Sequence, residues 1–221
     1  MVSETAASGW HGGAWPLVAR LSAADGTAAH AWAKRLATAS AMRRDLADAV
    51  HALAMLHGHQ PGMADHALAR RAQANADAWL AEVSAAFAAE RAVLAMLVAA
   101  AGPLPSTPGH AGSEAAILGQ RHALDMLARS DRCGCSSGAV AALLIDWPAV
   151  RLVLDHAGRC FGVAVPPPQL PDEIDTATTV ARLGESPAAE RAIAFGAEQL
   201  LAQHRGLWSL LEARAEARGR S

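Results

Sequence analysis

From Met63 to Ala101 the chain runs for 39 residues without a glycine or a proline. Along this run Ala69, Gln73, Ala76, Leu80, Val83, Phe87, Glu90, Leu94 and Leu97 recur at alternating spacings of three and four. That period places them on one stripe of an α-helix, and such a stripe needs other helices to cover it. The expectation is an all-α chain: a helical bundle of four long helices plus one or two short ones, with a ferritin-like up-and-down arrangement as one form it could take.

The flanking segments are read in the same way. A first helix is expected from Thr27 to His57, on the seam Trp32, Arg35, Ala39, Met42, Leu46, Ala49, Leu53 and Leu56, with Gly58 and Pro61-Gly62 as its stop. The stretch 102–112 carries Pro103, Pro105 and Pro108 and is a loop. A third helix starts with Ser113 as N-cap and Glu114 in its first turn and ends near Arg129. Another helix runs to Ile145, and Asp146-Trp147-Pro148 restarts the chain in a bent or reversed direction to Phe161, because proline suits a first helical position. Val163 to Pro171 holds four prolines and connects to a short helix at Asp172–Leu183. A last helix from Ser186 to about Ala217 carries the seam Ile193, Gly196, Leu200, His204, Leu207 and Leu211. Strand signals and internal repeats are missing. Residues 1–26, with Trp10 and Trp15 among glycines and alanines, read as an N-terminal arm, and 27–221 as a single domain.

Composition excludes several functions. Alanine makes up about a quarter of the chain and Lys34 is the single lysine beside 18 arginines, the signature of a GC-rich bacterial genome. The net charge of −2, with arginines scattered among acids, leaves no basic stripe for nucleic acid. The most apolar window, Ala92 to Ala101, is about ten residues long against the roughly 20 that span a bilayer, so no membrane association is expected. The start lacks a basic segment ahead of an apolar run, which points to the cytoplasm. Three cysteines in such a chain are expected to be thiols.

Several polar residues occupy seam positions where leucine would do: Arg35, Gln73, Glu90, Arg121 and His204. Ionisable groups in a core are costly unless paired, so these should meet one another and fix helix register, or line a polar cavity. The site version has Glu90, Glu114, Arg121 and His204 converging on one core pocket, where bundles hold ligands and metals such as iron. In helix lengths and in the long crossover between its second and third helices, the chain resembles the ferritin-like di-metal carboxylate proteins. Those proteins use a Glu from each of two helices and a Glu-x-x-His pair from each of the other two. Here the one acid-x-x-His is Asp48-Ala49-Val50-His51, with both ends off the seam, so the resemblance covers architecture alone.

Two further clusters carry possible metal chemistry. His51, His57, His59 and His66, with Asp65, surround the turn between the first two expected helices, at a spacing that matches no zinc motif; a solvated turn without a ligand is expected. Cys133-Gly134-Cys135 and His156-x-x-x-Cys160 would form a Cys₃His zinc site if the chain reversed at Asp146-Trp147-Pro148. No nucleophile elbow, His-Glu-x-x-His or diagnostic carboxylate pair is present, and whether the protein is an enzyme is left open. The expected role is non-catalytic, through a protein partner or a homo-oligomer, with a metal-dependent or small-ligand-binding core site as the alternative.

Overall fold

The computed structural model describes residues 13–104 and 110–219. Among them the chain forms nine α-helices and two short 3-10 turns, with no strand. In order these are α1 (Ala14–Asp25), a 3-10 turn (Thr27–Ala29), α2 (Ala31–Leu36), α3 (Arg43–His57), α4 (Met63–Arg70), a 3-10 turn (Ala74–Ala76), α5 (Asp77–Ala101), α6 (His110–Ala128), α7 (Cys135–Phe161), α8 (Glu173–Leu183) and α9 (Pro187–Gly219).

Helix α7 is the axis of the fold. Its buried face includes Ala139, Leu143, Trp147, Val150, Val153, Leu154 and Ala157, and every other α-helix packs against it. Its tightest neighbour is α9. A Cβ on Gly138 would lie 2.1 Å from the Ile193 carbonyl oxygen, and one on Gly196 would lie 1.9 Å from that of Cys135. The two helices therefore touch backbone to backbone at two reciprocal points that no other residue type permits.

Four expectations need correction. The first expected helix is divided, because 37–42 breaks between α2 and α3; Arg35, Ala39 and Met42 are exposed rather than on a seam. The second is divided at Arg71, which adopts a left-handed conformation (φ 53°) and closes α4, so that Gln73 can turn inward. There its amide donates to the Leu183 carbonyl (3.2 Å) and accepts from the Ser137 hydroxyl (2.7 Å). Thirdly, Pro148 starts no new helix: α7 passes straight through it, held by the buried residues on both sides. Lastly, residues 14–25 of the expected arm are helix α1, packed on α7, α8 and α9. Trp15 is half-buried, and Trp10 lies outside the described residues.

By length and composition two segments, Ala74–Ala101 and Cys135–Phe161, are apolar enough to cross a membrane, where the sequence reading counted only ten residues at Ala92–Ala101. Alanines extend the apolar window. Most of the window in α7 is buried inside the fold, whereas that in α5 is 39% buried, leaving one face of α5 uncovered.

A candidate functional site: the buried polar spine

Seven buried side chains, Thr27, His57, Glu90, Asp146, Trp147, Arg151 and His204, join into a polar chain through the core. At one end the Thr27 backbone N–H and hydroxyl both donate to the Asp146 carboxylate at 2.6 Å, and the Trp208 indole N–H donates to the Thr27 hydroxyl at 2.9 Å. His204 Nδ1 lies 2.6 Å from Asp146 Oδ2, and His204 Nε2 lies 2.9 Å from His57 Nε2. His57 meets the Trp147 ring edge-on at 5.4 Å, with Phe87 packed on the other side of that indole at 4.9 Å. The Trp147 N–H donates to Glu90 Oε2 at 2.8 Å, and Arg151 Nη1 donates to both Glu90 oxygens at 3.1 and 2.9 Å. Arg151 Nη2 then reaches the Pro166 carbonyl and Asp155.

Local structure explains how each group reaches its partner. Asp146 and Trp147 are consecutive on α7 and so leave the helix at different angles, one toward α9 and one toward α5. Arg151, one turn beyond Trp147, shares its face and meets the same Glu90. His204 and Trp208 are likewise one turn apart on α9 and straddle Thr27. The spine thereby ties together the turn before α2, helices α3, α5, α7 and α9, and the proline-rich connection at Pro166.

The electrostatics follow from burial. Burial opposes ionisation of Asp146, but the hydrogen bond and charge of His204 and the two Thr27 bonds outweigh it and hold the carboxyl below its ordinary range. His57 is pushed well below the ordinary histidine range, first by burial and then by His204 and His59, so it stays neutral. With Asp146 ionised, His204 Nδ1 must donate, and a single hydrogen bridges the two Nε2 atoms.

An aspartate orienting a histidine is half of a relay that could activate a nucleophile. The other half is missing here. The cavity beside His57 is about 10 Å³, room for one water at most, and no hydroxyl or thiol lines it. Its rim is closed by further pairs: His59 on Asp125 at 3.2 Å, Arg129 on His66 at 3.0 Å, and Asp65 on the Gly62 N–H (2.7 Å), Arg91 (3.2 Å) and Ser84. Instead of a solvated turn, this histidine cluster is a set of half-buried pairs.

The structure separates the residues that the sequence grouped. Glu90 and His204 are both buried, yet they belong to different parts of the spine and do not touch. Glu114 is exposed, 3.9 Å from His110, and Arg121 is half-exposed, so neither joins a core pocket. The unbroken α7 also separates the proposed zinc ligands. Cys135 and Cys160 stand 25 residues apart on one helix, about 37 Å at 1.5 Å per residue. Cys133 and Cys160 are exposed, Cys135 is buried, and His156 reaches residues of its own helix, with Nε2 3.6 Å from Cys160 Sγ and Nδ1 3.4 Å from Arg159 Nη2. Among the described residues no three His, Cys, Asp or Glu side chains are arranged to hold a metal ion. Neither zinc nor iron has a fitting donor set at the positions the sequence suggested. Asp48, expected to face away, is buried on Arg214 (3.2 Å) and Arg218, while His51 bonds the Gly102 carbonyl at 2.8 Å.

The sequence matches a protein family over residues 22–219, from within α1 to the end of α9. The chain belongs to DUF6975, a family of unknown function. No curated protein and no solved structure matches it. The DUF6975 region contains every residue of the spine from Thr27 to Trp208, together with α5 and its uncovered face.

Proposed function

We propose that this protein is a non-catalytic helical bundle that acts by self-association through the outer face of α5. The observation that carries this reading is a second seam on that helix. Ala78, Ala81, Ala85, Ala88, Ala92, Ala95 and Ala99 alternate at spacings of three and four, and all seven are exposed. They lie opposite the buried stripe of Leu80, Val83, Phe87, Glu90, Leu94 and Leu97. Beyond Arg91 the helix carries no charge at all. Exposed faces of α6 and α9, by contrast, carry Glu114, Arg191, Glu198 and Arg205.

A small-residue heptad lets a second helix approach closely, and a uniform face is complementary to itself, as a two-fold pair requires. A lipid surface fits it less well. Alanine methyls contribute little transfer energy, and the flanking Glu82 is acidic where anionic lipid would favour basic residues. The closed spine and its one-water cavity support the non-catalytic part of the reading.

The seam from Ala78 to Ala99 is about 32 Å long, and with a helix 10 to 12 Å across it buries about 300 to 400 Å² per copy. The two copies together bury about 600 to 800 Å², short of the roughly 1,200 Å² of a stable interface, so the dimer is weak and concentration-dependent. Sedimentation velocity from about 1 µM to 1 mM should show monomer giving way to dimer. Ala88→Glu with Ala92→Glu, both on the exposed face, should remain monomeric throughout. A wild type that stays monomeric across the range overturns the proposal, and so does one that floats with phosphatidylserine vesicles while failing to dimerise.

A further inference from the structure

A groove of about 290 Å³ opens between the start of α1, the middle of α7 and the connection into α8, walled by Trp15, Leu144, Ile145, Pro148, Leu170 and Pro171. It uses no residue of the α5 seam. Its size is just below the roughly 300 Å³ at which small-molecule pockets begin, and its walls are apolar.

Two polar groups at this groove lack their ordinary partners. Thr176 on α8 lines it and is 2% exposed, yet its hydroxyl makes no hydrogen bond, although buried hydroxyls nearly always find one. Presented to the groove by a change of χ1 rotamer, that hydroxyl would find the partner it lacks in a ligand there. Pro148, in mid-helix, has no N–H, so the carbonyl of Leu144 loses its helical donor on the groove side of α7. Among the described residues the one charged group of the wall is exposed Glu173, and no basic residue lines the groove. A carbonyl, a hydroxyl able to accept and a carboxylate all call for a donor, and the carboxylate calls for a positive one.

We propose that this groove is a binding site for a small apolar amine. The hydrocarbon body lies on Trp15 and the prolines, and the ammonium donates to the Leu144 carbonyl, the Thr176 hydroxyl and Glu173. A carboxylate of the same shape brings an acceptor to the Leu144 carbonyl and a negative charge to Glu173, with only the Thr176 hydroxyl able to donate to it, so it binds more weakly.

The test is isothermal titration of the full chain with 2-phenylethylamine, 3-phenylpropionate and 2-phenylethanol. The amine should bind with a Kd of about 1 mM or tighter, as ligands of this size can, and the acid at least about tenfold more weakly. Thr176→Val removes the hydroxyl at nearly constant shape, and Pro148→Ala returns an N–H to the Leu144 carbonyl while favouring the helix. Each should weaken amine binding about tenfold, one hydrogen bond's worth, with both proteins folded. Glu173→Gln should weaken it severalfold. The proposal is overturned by an amine that does not saturate the protein at ~10 mM, by an acid that binds as well, or by binding indifferent to both Thr176→Val and Pro148→Ala. Binding that appears only after removal of residues 1–12 overturns it too, since the occupant would then be the chain's own start.

Discussion

Replacing Asp146 with asparagine removes the charge on which three donors converge while keeping the shape of the side chain. In the wild type Oδ1 takes the Thr27 N–H, and Oδ2 takes both the Thr27 hydroxyl and His204 Nδ1, all at 2.6 Å. An amide has one accepting oxygen. Placed on Thr27 N–H, it turns its NH₂ toward His204 and the Thr27 hydroxyl, which is itself bonded by Trp208. His204 can escape only by moving its proton to Nε2, toward His57. A hydrogen bond to a charged group contributes about 1.5 to 3 kcal/mol, and at least two of the three donors here lose their charged acceptor. Asp146→Asn should therefore lose about 3 to 5 kcal/mol. Urea unfolding followed by circular dichroism reads this as a drop in midpoint of about 1.5 M, for a slope near 2.5 kcal/mol/M that should itself be unchanged. The double variant with His204→Gln should be less destabilised than the sum of the two singles, because they break the same bond. A loss under about 1 kcal/mol, the size of an ordinary surface substitution, would refute the picture of a tightly coupled spine.

Stability should fall as the solution is acidified from pH 7.5 to 5. The folded state keeps His57 neutral whereas the unfolded chain takes up a proton below about 6.5, giving a limiting slope of about 1.4 kcal/mol per pH unit for that group. Half-buried His30 and His66, lowered for the same reason of burial, add in the same direction, and a flat profile over this range would contradict the assignment. Asp146 acts lower down: its contribution is complete above about pH 4 and disappears as pH drops through its depressed folded value. Glu90→Ala takes from buried Arg151 its two-pronged partner, leaving only the half-exposed Asp155 as an ionic partner, and strands the Trp147 N–H; it should lower stability by about 2 to 4 kcal/mol, read from the same urea transition. Gly196→Ala drives a methyl into the Cys135 carbonyl and should separate α7 from α9, seen as lost cooperativity or failure to fold; a soluble variant with wild-type melting would show the two helices to be further apart. Thiol titration should find two fast groups, Cys133 and Cys160, in the native protein and a third, Cys135, only on unfolding.

Periodicity made the faces legible. It identified the buried stripe of α5, the long final helix and the inward positions of Gln73, Glu90 and His204, because a polar residue inside a regular apolar repeat shares the fate of its neighbours. Partners were another matter. Thr27 and Asp146 are 119 residues apart, and His57 and His204 are 147 apart, and helical spacing carries no information about which faces meet. Asp146-Trp147-Pro148 looked like a helix restart, since proline suits a first helical position. The acid is instead spent on Thr27 and His204, and the helix absorbs the proline on its exposed side. The break at Arg71 had no glycine or proline to announce it. The alanine seam of α5 was visible in principle, but in a chain so rich in alanine an outward stripe gains meaning only once the structure leaves it uncovered.

Cysteine cross-linking tests the self-association most directly. In a Cys133→Ser, Cys160→Ser background, a cysteine replacing Ala88 stands at the centre of the seam, where two copies meet whether the helices run parallel or antiparallel. Mild oxidation at about 100 µM should give a covalent dimer that fades on dilution, whereas a cysteine replacing exposed Met126 on α6 should give none. Equal cross-linking at both positions, or none at Ala88, would contradict an interface on α5.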